Sequence, residues 1–342
     1  MVSKIVFLGT GGDSFVIGKQ IRNAGGIILK SDDLQFHIDP GPGALINAAQ
    51  NHISVRENTA VFVSSNNINQ CNDVNAVIDA MTYGGMDKRG VLVANNTIVN
   101  GTERIKPYLT ESHKNYLERI IVLNPNQKLA IESVEIDAIV TNNTSDPNTI
   151  GFKFYTPDFV LGYTSTTAYS KELVKAYHGC DILILNVQNP GEEKSENNLN
   201  TSQAKKLITK INPKLAILTY FGIRMIKADP LYEAREIQKA TGIQVLAAKD
   251  GMVIAPSSYS AKSSQKRLNL FKVKEEIVED NMNIREKRNI EVTEINKEKE
   301  DSVPEEENQI EIEEVEEAKE KEGIISEESP EHKEEQMHLD LD

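Results

Sequence analysis

Carboxylates at glycine-flanked turns, a cysteine beside an amide-rich heptapeptide and scattered histidines are the groups in this sequence that could do chemistry. The heptapeptide Ser64-Ser65-Asn66-Asn67-Ile68-Asn69-Gln70 continues an apolar run that starts at Val61. Its hydroxyls and amides donate and accept hydrogen bonds, but they are weak, uncharged ligands that cannot lower the pKa of a metal-bound water. Cys71, which follows, is a soft ligand or nucleophile by type. No histidine neighbours it, and a small buried cysteine at a helix start is the commoner arrangement. The histidines are His37, His52, His113, His178, His332 and His338, and they form no spaced metal motif. His37, two residues before Asp39, reads as a structural histidine with its hydrogen bond satisfied. Asp39, Asp73 and Asp146 stand at turns and helix starts, where a carboxylate accepts from free backbone N–H groups and supports the nearby loops.

The glycines give weaker signals. Leu8-Gly9-Thr10-Gly11-Gly12 follows an apolar run, but it lacks the Gly-Lys-Ser/Thr ending of a phosphate-binding loop. It reads as a tight turn that needs positive φ. Ile38-Asp39-Pro40-Gly41-Pro42-Gly43 is an aspartate entering a glycine-proline turn.

The elements that must carry these groups are short apolar strands separated by turns and helices. Strands are predicted at Ile5 to Leu8, Gly26 to Leu29, Leu34 to Ile38 and Val61 to Ser64, with a helix capped by Asn72 that buries Ala76, Val77, Ala80 and Met81. A second strand-rich half covers Leu129 to Ile131, Val134 to Val140, Ile150 to Tyr155, Phe159 to Tyr163 and Ile182 to Leu185. It ends with helix Ser202 to Ile211, strand Leu215 to Leu218, helix Leu231 to Ala240 and strand Gln244 to Ala247. This is an α/β layout with helices on sheet faces, and both halves begin with hairpins.

At 342 residues and 39% hydrophobic content the chain can bury a full core. Its net charge of −14 is unevenly placed. Val273 to Asp342 holds 27 acidic and 9 basic residues, so Met1 to Lys272 carries 25 acidic and 29 basic, a net of +4. A Glu/Lys-rich segment with almost no aromatics cannot bury enough apolar surface to offset its ordering entropy, so residues 273–342 are expected to be a disordered acidic tail. Residues 257–272 read as a serine-rich linker, and residues 1–256 as the folded domain. Two cysteines, Cys71 and Cys180, make no disulfide framework and fit a reducing interior. No apolar run approaches the roughly 20 residues of a membrane span, so the expected address is the cytoplasm, with no membrane partner.

From Lys4 to about Ala255 the chain resembles the metallo-β-lactamase superfamily, in its ribonuclease-Z-like and archaeal metal-dependent hydrolase branches. The Leu-Gly-Thr-Gly-Gly turn, the Asp-x-Gly turn and the strand leading into the heptapeptide carry the likeness. It implies a four-layer αββα sandwich. In the family that strand ends in Thr/Ser-His-x-His-x-Asp-His, whose side chains hold a dinuclear metal site. Placed on this sequence, the motif puts Ser65, Asn67, Asn69 and Gln70 at the four ligand positions. The same resemblance puts Thr144, before Ser145-Asp146-Pro147, at a later histidine. Thr166, after Gly162-Tyr163-Thr164-Ser165, falls at the bridging aspartate, and Tyr220, before Phe221-Gly222, at the last histidine. Seven positions have thus lost their ligand, and the resemblance implies a degenerate member with no catalytic residues, no metal and no cofactor. Asp39, Asp73 and Asp146 remain as structural support.

Outside the fold, Gln265, Leu268 and Phe271 are spaced as in the sliding-clamp-binding peptide of replication and repair proteins; packing of Leu268, Leu270 and Phe271 back on the domain is the plainer alternative. The leading expectation is a catalytically inactive binding or scaffold subunit with a protein partner, an active paralogue or a second copy. A hydrolase of phosphodiesters or esters with zinc or another divalent metal in an atypical site stays open. So does a nucleic-acid-processing accessory factor whose mildly basic core touches phosphates.

Overall fold

The computed structural model describes residues 3–193 and 195–259. The strands are β1 (Lys4–Phe7), β2 (Ile27–Ser31), β3 (Leu34–Ile38), β4 (Ala60–Val63), β5 (Val91–Ala94), β6 (Arg119–Val122), β7 (Lys128–Ile131), β8 (Val134–Val140), β9 (Ile150–Tyr155), β10 (Val160–Tyr163), β11 (Ile182–Asn189), β12 (Leu199–Asn200), β13 (Leu215–Thr219), β14 (Gln244–Ala247) and β15 (Val253–Ile254). They form two sheets, in the orders β15-β1-β2-β3-β4-β5-β6 and β14-β13-β11-β10-β9-β8-β7, with β12 beside β11.

Period-two alternation explains how the sheets stack. Phe36, Ile38, Ala60 and Phe62 of the first sheet point to a shared core with Ile136, Phe152, Phe154, Leu161, Ile184 and Ile217 of the second. At its centre the Phe62 ring lies edge-on to Phe36, Phe152 and Phe154, with centroids 5.2–5.3 Å apart. The alternate positions Val61, Val63, Leu92 and Ala94 face outward and are covered by helix Val74–Thr82 through Val74, Val77, Ile78 and Met81. On the second sheet Leu183, Leu185, Ala216 and Leu218 face out beneath helices Lys171–Ala176, Thr201–Ile211 and Pro230–Thr241. The layers are therefore helix, sheet, sheet, helix, as the sequence led us to expect.

Strand direction decides where a site can form. β3, β4, β5 and β6 run parallel, as do β10, β11, β13 and β14. Parallel strands gather the loops after their C-terminal ends at one edge, the usual place for a ligand in an open α/β sheet. Asp39, Ser64, Thr164, Tyr220 and their neighbours all lie there.

Two local expectations are corrected. The helix over Met81 starts at Val74 with Asp73 as its cap residue, whereas Asn72 ends the preceding short helix Ile68–Cys71. The Gly9-Thr10-Gly11-Gly12 turn does not use positive φ. These glycines are needed for close approach instead: a Cβ on Gly9 would come 2.5 Å from the Asn23 carbonyl group, and one on Gly12 would come 2.0 Å from the Tyr220 carbonyl oxygen. Residues 265–271 and 273–342 lie outside the described residues, and with them Gln265, Leu268, Phe271 and the acidic tail. Among the described residues no helix is long and apolar enough to cross a membrane.

Candidate functional site

Asp39 is the hub of the pocket. It follows β3 with a left-handed backbone, φ 52°, which an aspartate tolerates better than most residues. Its buried carboxylate accepts from the Ser64 backbone N–H at 2.7 Å, the Ser64 hydroxyl at 2.7 Å, Gln70 Nε2 at 2.8 Å and the Tyr163 hydroxyl at 2.5 Å. Burial pushes its pKa up, and the donors from Tyr163, Ser64 and Gln70 oppose that rise.

The network extends in both directions. The Ser64 and Ser165 hydroxyls meet at 2.6 Å, and Gln70 Nε2 also reaches Ser165 Oγ at 3.2 Å. Thr166 Oγ1 donates to Gln70 Oε1 at 3.3 Å, and Asn186 Nδ2 donates to the Tyr163 hydroxyl at 3.2 Å. Burial raises the Tyr163 pKa well above the usual phenol value, with the neighbouring Asp39 adding to the rise, so this hydroxyl stays protonated and donates to the carboxylate.

The structure gathers some of the expected positions and leaves others apart. Gln70 and Thr166 are buried within the network. Ser65 is buried too, and its hydroxyl accepts from the Asn67 N–H at 3.2 Å. Asn67 is exposed and caps helix Ile68–Cys71 by accepting from the Asn69 N–H at 3.0 Å; Asn69 is half-buried. Thr144 is exposed, and its hydroxyl and N–H both donate to Asn197 Oδ1, so no hydrogen bond joins it to the Gln70 network. Tyr220 is buried over Gly12 with φ 64°, a strained conformation for an aromatic residue. Its hydroxyl closes no hydrogen bond of good geometry, although Asn69 is near enough to temper the rise in pKa that burial imposes.

The supporting carboxylates are distinct from the hub. Asp73 Oδ2 accepts from the Ala44 N–H at 2.8 Å and so caps helix Ala44–Gln50. Asp146 Oδ1 accepts from Thr97 Oγ1 and the Asn148 N–H, both at 3.1 Å, while its buried Oδ2 has no partner. His37 is wholly buried, with Nε2 2.7 Å from the Gly25 carbonyl and Nδ1 without a partner, so the expected satisfaction holds for one ring nitrogen only. Desolvation lowers its pKa to about 4, so the ring is neutral. Cys71 is buried in the core under helix Val74–Thr82, and burial raises its pKa, which leaves an inert thiol.

Asp39, Gln70, Tyr163, Asn186 and Tyr220 line a cavity of about 30 Å³ together with the glycines at 9, 11, 25 and 26. That is room for a water molecule or two, far below the several hundred Å³ of a typical ligand pocket. Two polar atoms without a partner belong to its lining residues, Asn186 Oδ1 and the Tyr220 hydroxyl. Sequence reasoning missed Tyr163 and Asn186. Asn186 left one usable signal, a lone amide inside the apolar run Ile182–Val187.

A sandwich of two sheets with its pocket at the C-terminal strand ends defines the metallo-β-lactamase class of folds. Residues 35–221 match the family described as the Beta-lactamase superfamily domain. An uncharacterized protein of Methanocaldococcus jannaschii is 31% identical over 253 residues, covering 73% of this chain and 94% of that one. The chain belongs to the metallo-β-lactamase superfamily. Its fold is similar to that of the metallo-beta-lactamase fold protein YhfI from Bacillus subtilis, with a TM-score of 0.62 and 15% identity over 74% of this chain and 99% of that one. It is also similar to the short form of human tRNase Z, with a TM-score of 0.54 and 15% identity over 73% of this chain and 98% of that one.

The residues present do not fit the metal centre that the family implies. A dinuclear site needs imidazoles and carboxylates around doubled positive charge. Here the pocket holds one carboxylate, and four donors from the chain itself already occupy it. Among the described residues no three His, Cys, Asp or Glu side chains come together as a metal site.

Proposed function

We propose that this chain is a non-catalytic member of its superfamily that acts as a binding or scaffold subunit, with an active paralogue or a second copy as partner. One observation carries the reading: Gln70, at the position where the resemblance places a metal-binding histidine, donates to Asp39 from within a closed network of hydroxyls and amides. Such a network supplies neither the charge to hold a divalent ion nor a means to activate water. The small cavity adds support, since beside Asp39 it holds room for a water molecule or two. Metal analysis of protein purified without chelators, together with a pull-down from native extract, tests the reading. The expected result is a stoichiometric protein partner and metal well below one equivalent. Near-stoichiometric zinc, iron or manganese that disappears in an Asp39→Ala variant would overturn it.

A second reading draws on the carboxylate oxygen Asp146 Oδ2 and on Asn186 Oδ1, both buried without a partner. With the Tyr220 hydroxyl, also without a partner, they are spare oxygens that would serve a hydrolase of phosphodiesters or esters with an atypical metal set. The same metal analysis separates the two.

A further inference from the structure

Away from the pocket, helices Lys171–Ala176 and Thr201–Ile211 pack side by side on the outer face of the second sheet. Their solvent side is a field of lysines. Lys171, Lys175, Lys205, Lys206, Lys210 and Lys214 are all exposed, and the acids within residues 169–181 and 201–214 are Glu172 and Asp181. Asp181 pairs with Lys214 at 2.9 Å. The two segments therefore hold an excess of four positive charges, equal to the net charge of Met1 to Lys272 as a whole. The adjoining helix Pro230–Thr241 is balanced, with Glu233 and Glu236 against Arg235 and Lys239.

We propose that this face binds the phosphate backbone of a nucleic acid. The amphipathic pattern of helix Thr201–Ile211 produces the array: Ala204, Leu207, Ile208 and Ile211 go into the core, which leaves Lys205, Lys206, Thr209 and Lys210 outward. With Ser202 these four residues line a groove of about 260 Å³. Lys205 and Lys210 lie about 7.5 Å apart along the axis, and the Lys171/Lys175 row runs on the next helix, about 8–10 Å away. Two rows of ammonium groups interspersed with hydroxyls suit a chain of phosphates rather than a single anion, since lysine, serine and threonine are the usual phosphate contacts. Lys210 also reaches the Tyr169 hydroxyl at 3.1 Å, which holds one ammonium group in place. None of the large exposed hydrophobic side chains of the described residues lies in either segment. An acidic protein partner or a membrane surface would want such an anchor, and protein interfaces are poor in lysine.

The test is fluorescence anisotropy of the full chain with labelled 20-nucleotide oligo(U) and oligo(dT) at 50 and 200 mM NaCl, the two probes separating RNA from DNA. Binding is expected at 50 mM and should weaken steeply with salt. The Lys205→Glu/Lys206→Glu/Lys210→Glu variant should bind at least tenfold more weakly at 50 mM. Its slope of log K against log salt should shrink by roughly 0.7 for each phosphate that the variant no longer neutralises. A charge-matched control, Lys19→Glu/Lys88→Glu/Lys249→Glu, changes exposed lysines elsewhere and should keep most of the binding. Equal loss in the two variants, no binding to either probe at 50 mM, or binding to anionic vesicles in place of the oligonucleotides would each overturn the proposal.

Discussion

Gln70 holds Asp39: its Nε2 donates to the buried carboxylate at 2.8 Å, and its Oε1 accepts from Thr166. One side chain thus joins the end of β3 to the loop after β10, across the two sheets. Gln70→Leu fills similar volume but leaves a buried carboxylate short of a donor and the Thr166 hydroxyl without its acceptor. The expected loss is about 2 kcal/mol, read as a lower urea midpoint. Gln70→Glu sets a second carboxylate against Asp39 and should lose more at pH 7 than at pH 5, because protonating one of the pair relieves the repulsion. A midpoint indifferent to Gln70→Leu would show that Gln70 does not anchor the hub.

His37 gives the fold a pH dependence of definite sign. Its pKa falls from 6.5 to about 4 on folding, so below 6.5 the unfolded chain binds the proton more readily. Stability is complete above about pH 6.5 and is lost as pH falls toward 4, by about 3 kcal/mol in all. Asp39 acts in the opposite sense: its raised pKa contributes stability that is present below about 3.8 and is lost as pH rises through the folded value. His37→Gln keeps a donor for the Gly25 carbonyl and removes the titration. Urea midpoints between pH 4 and 7 should therefore slope upward in the wild type and lie flatter or slope downward in the variant. Parallel curves would rule out His37 as the source.

Gly12 and Gly18 form a matched pair that separates close approach from helix propensity. A Cβ at Gly12 would meet the Tyr220 carbonyl oxygen at 2.0 Å, and neither residue can yield without moving the strand end. Gly18, at the end of helix Ser14–Gly18, meets nothing within 4 Å. Gly12→Ala should cost about 3 kcal/mol, whereas Gly18→Ala should be neutral or add about 0.5–1 kcal/mol. Thermal melts of the two variants decide it, and a tolerated Gly12→Ala would mean that the Tyr220 loop moves freely.

Much of this fold was legible because local signals agreed. β3, β8, β9 and β14 were read to the residue from apolar runs bounded by turn residues. β5 and β6 were not, since four-residue strands among Asn, Arg and Gly give too short a pattern. The role of the glycine turn is hidden in the sequence because close backbone approach depends on Asn23 for Gly9 and on Tyr220, some 200 positions on, for Gly12. The pocket hub was hidden for the same reason: the donors to Asp39 come from residues 25, 31 and 124 positions away. The heptapeptide runs from the end of β4 into helix Ile68–Cys71, so local signals place it in the fold, whereas Thr144 sits in an irregular loop and donates to Asn197.

The heptapeptide's register can be tested directly by putting the ligands back. Asn67 is exposed and Asn69 half-buried, so Asn69→Asp disturbs little, whereas Asn67→His removes the cap of helix Ile68–Cys71 and Ser65→His sets an imidazole at a buried position. Gln70→His removes the donor to Asp39 at a further cost of about 2 kcal/mol, so the combined variant should start well below the wild type without metal. Zinc should then recover part of the loss: at a hundredfold excess over the dissociation constant, binding to the folded state alone adds about 2.7 kcal/mol. The wild type, whose pocket offers amides and hydroxyls, should show no zinc-dependent change in melting temperature. Near-UV circular dichroism establishes that the variant is folded before zinc is added. A folded variant indifferent to zinc would mean that these four positions do not converge as ligands, and the loop would owe its likeness to the family to strand order alone.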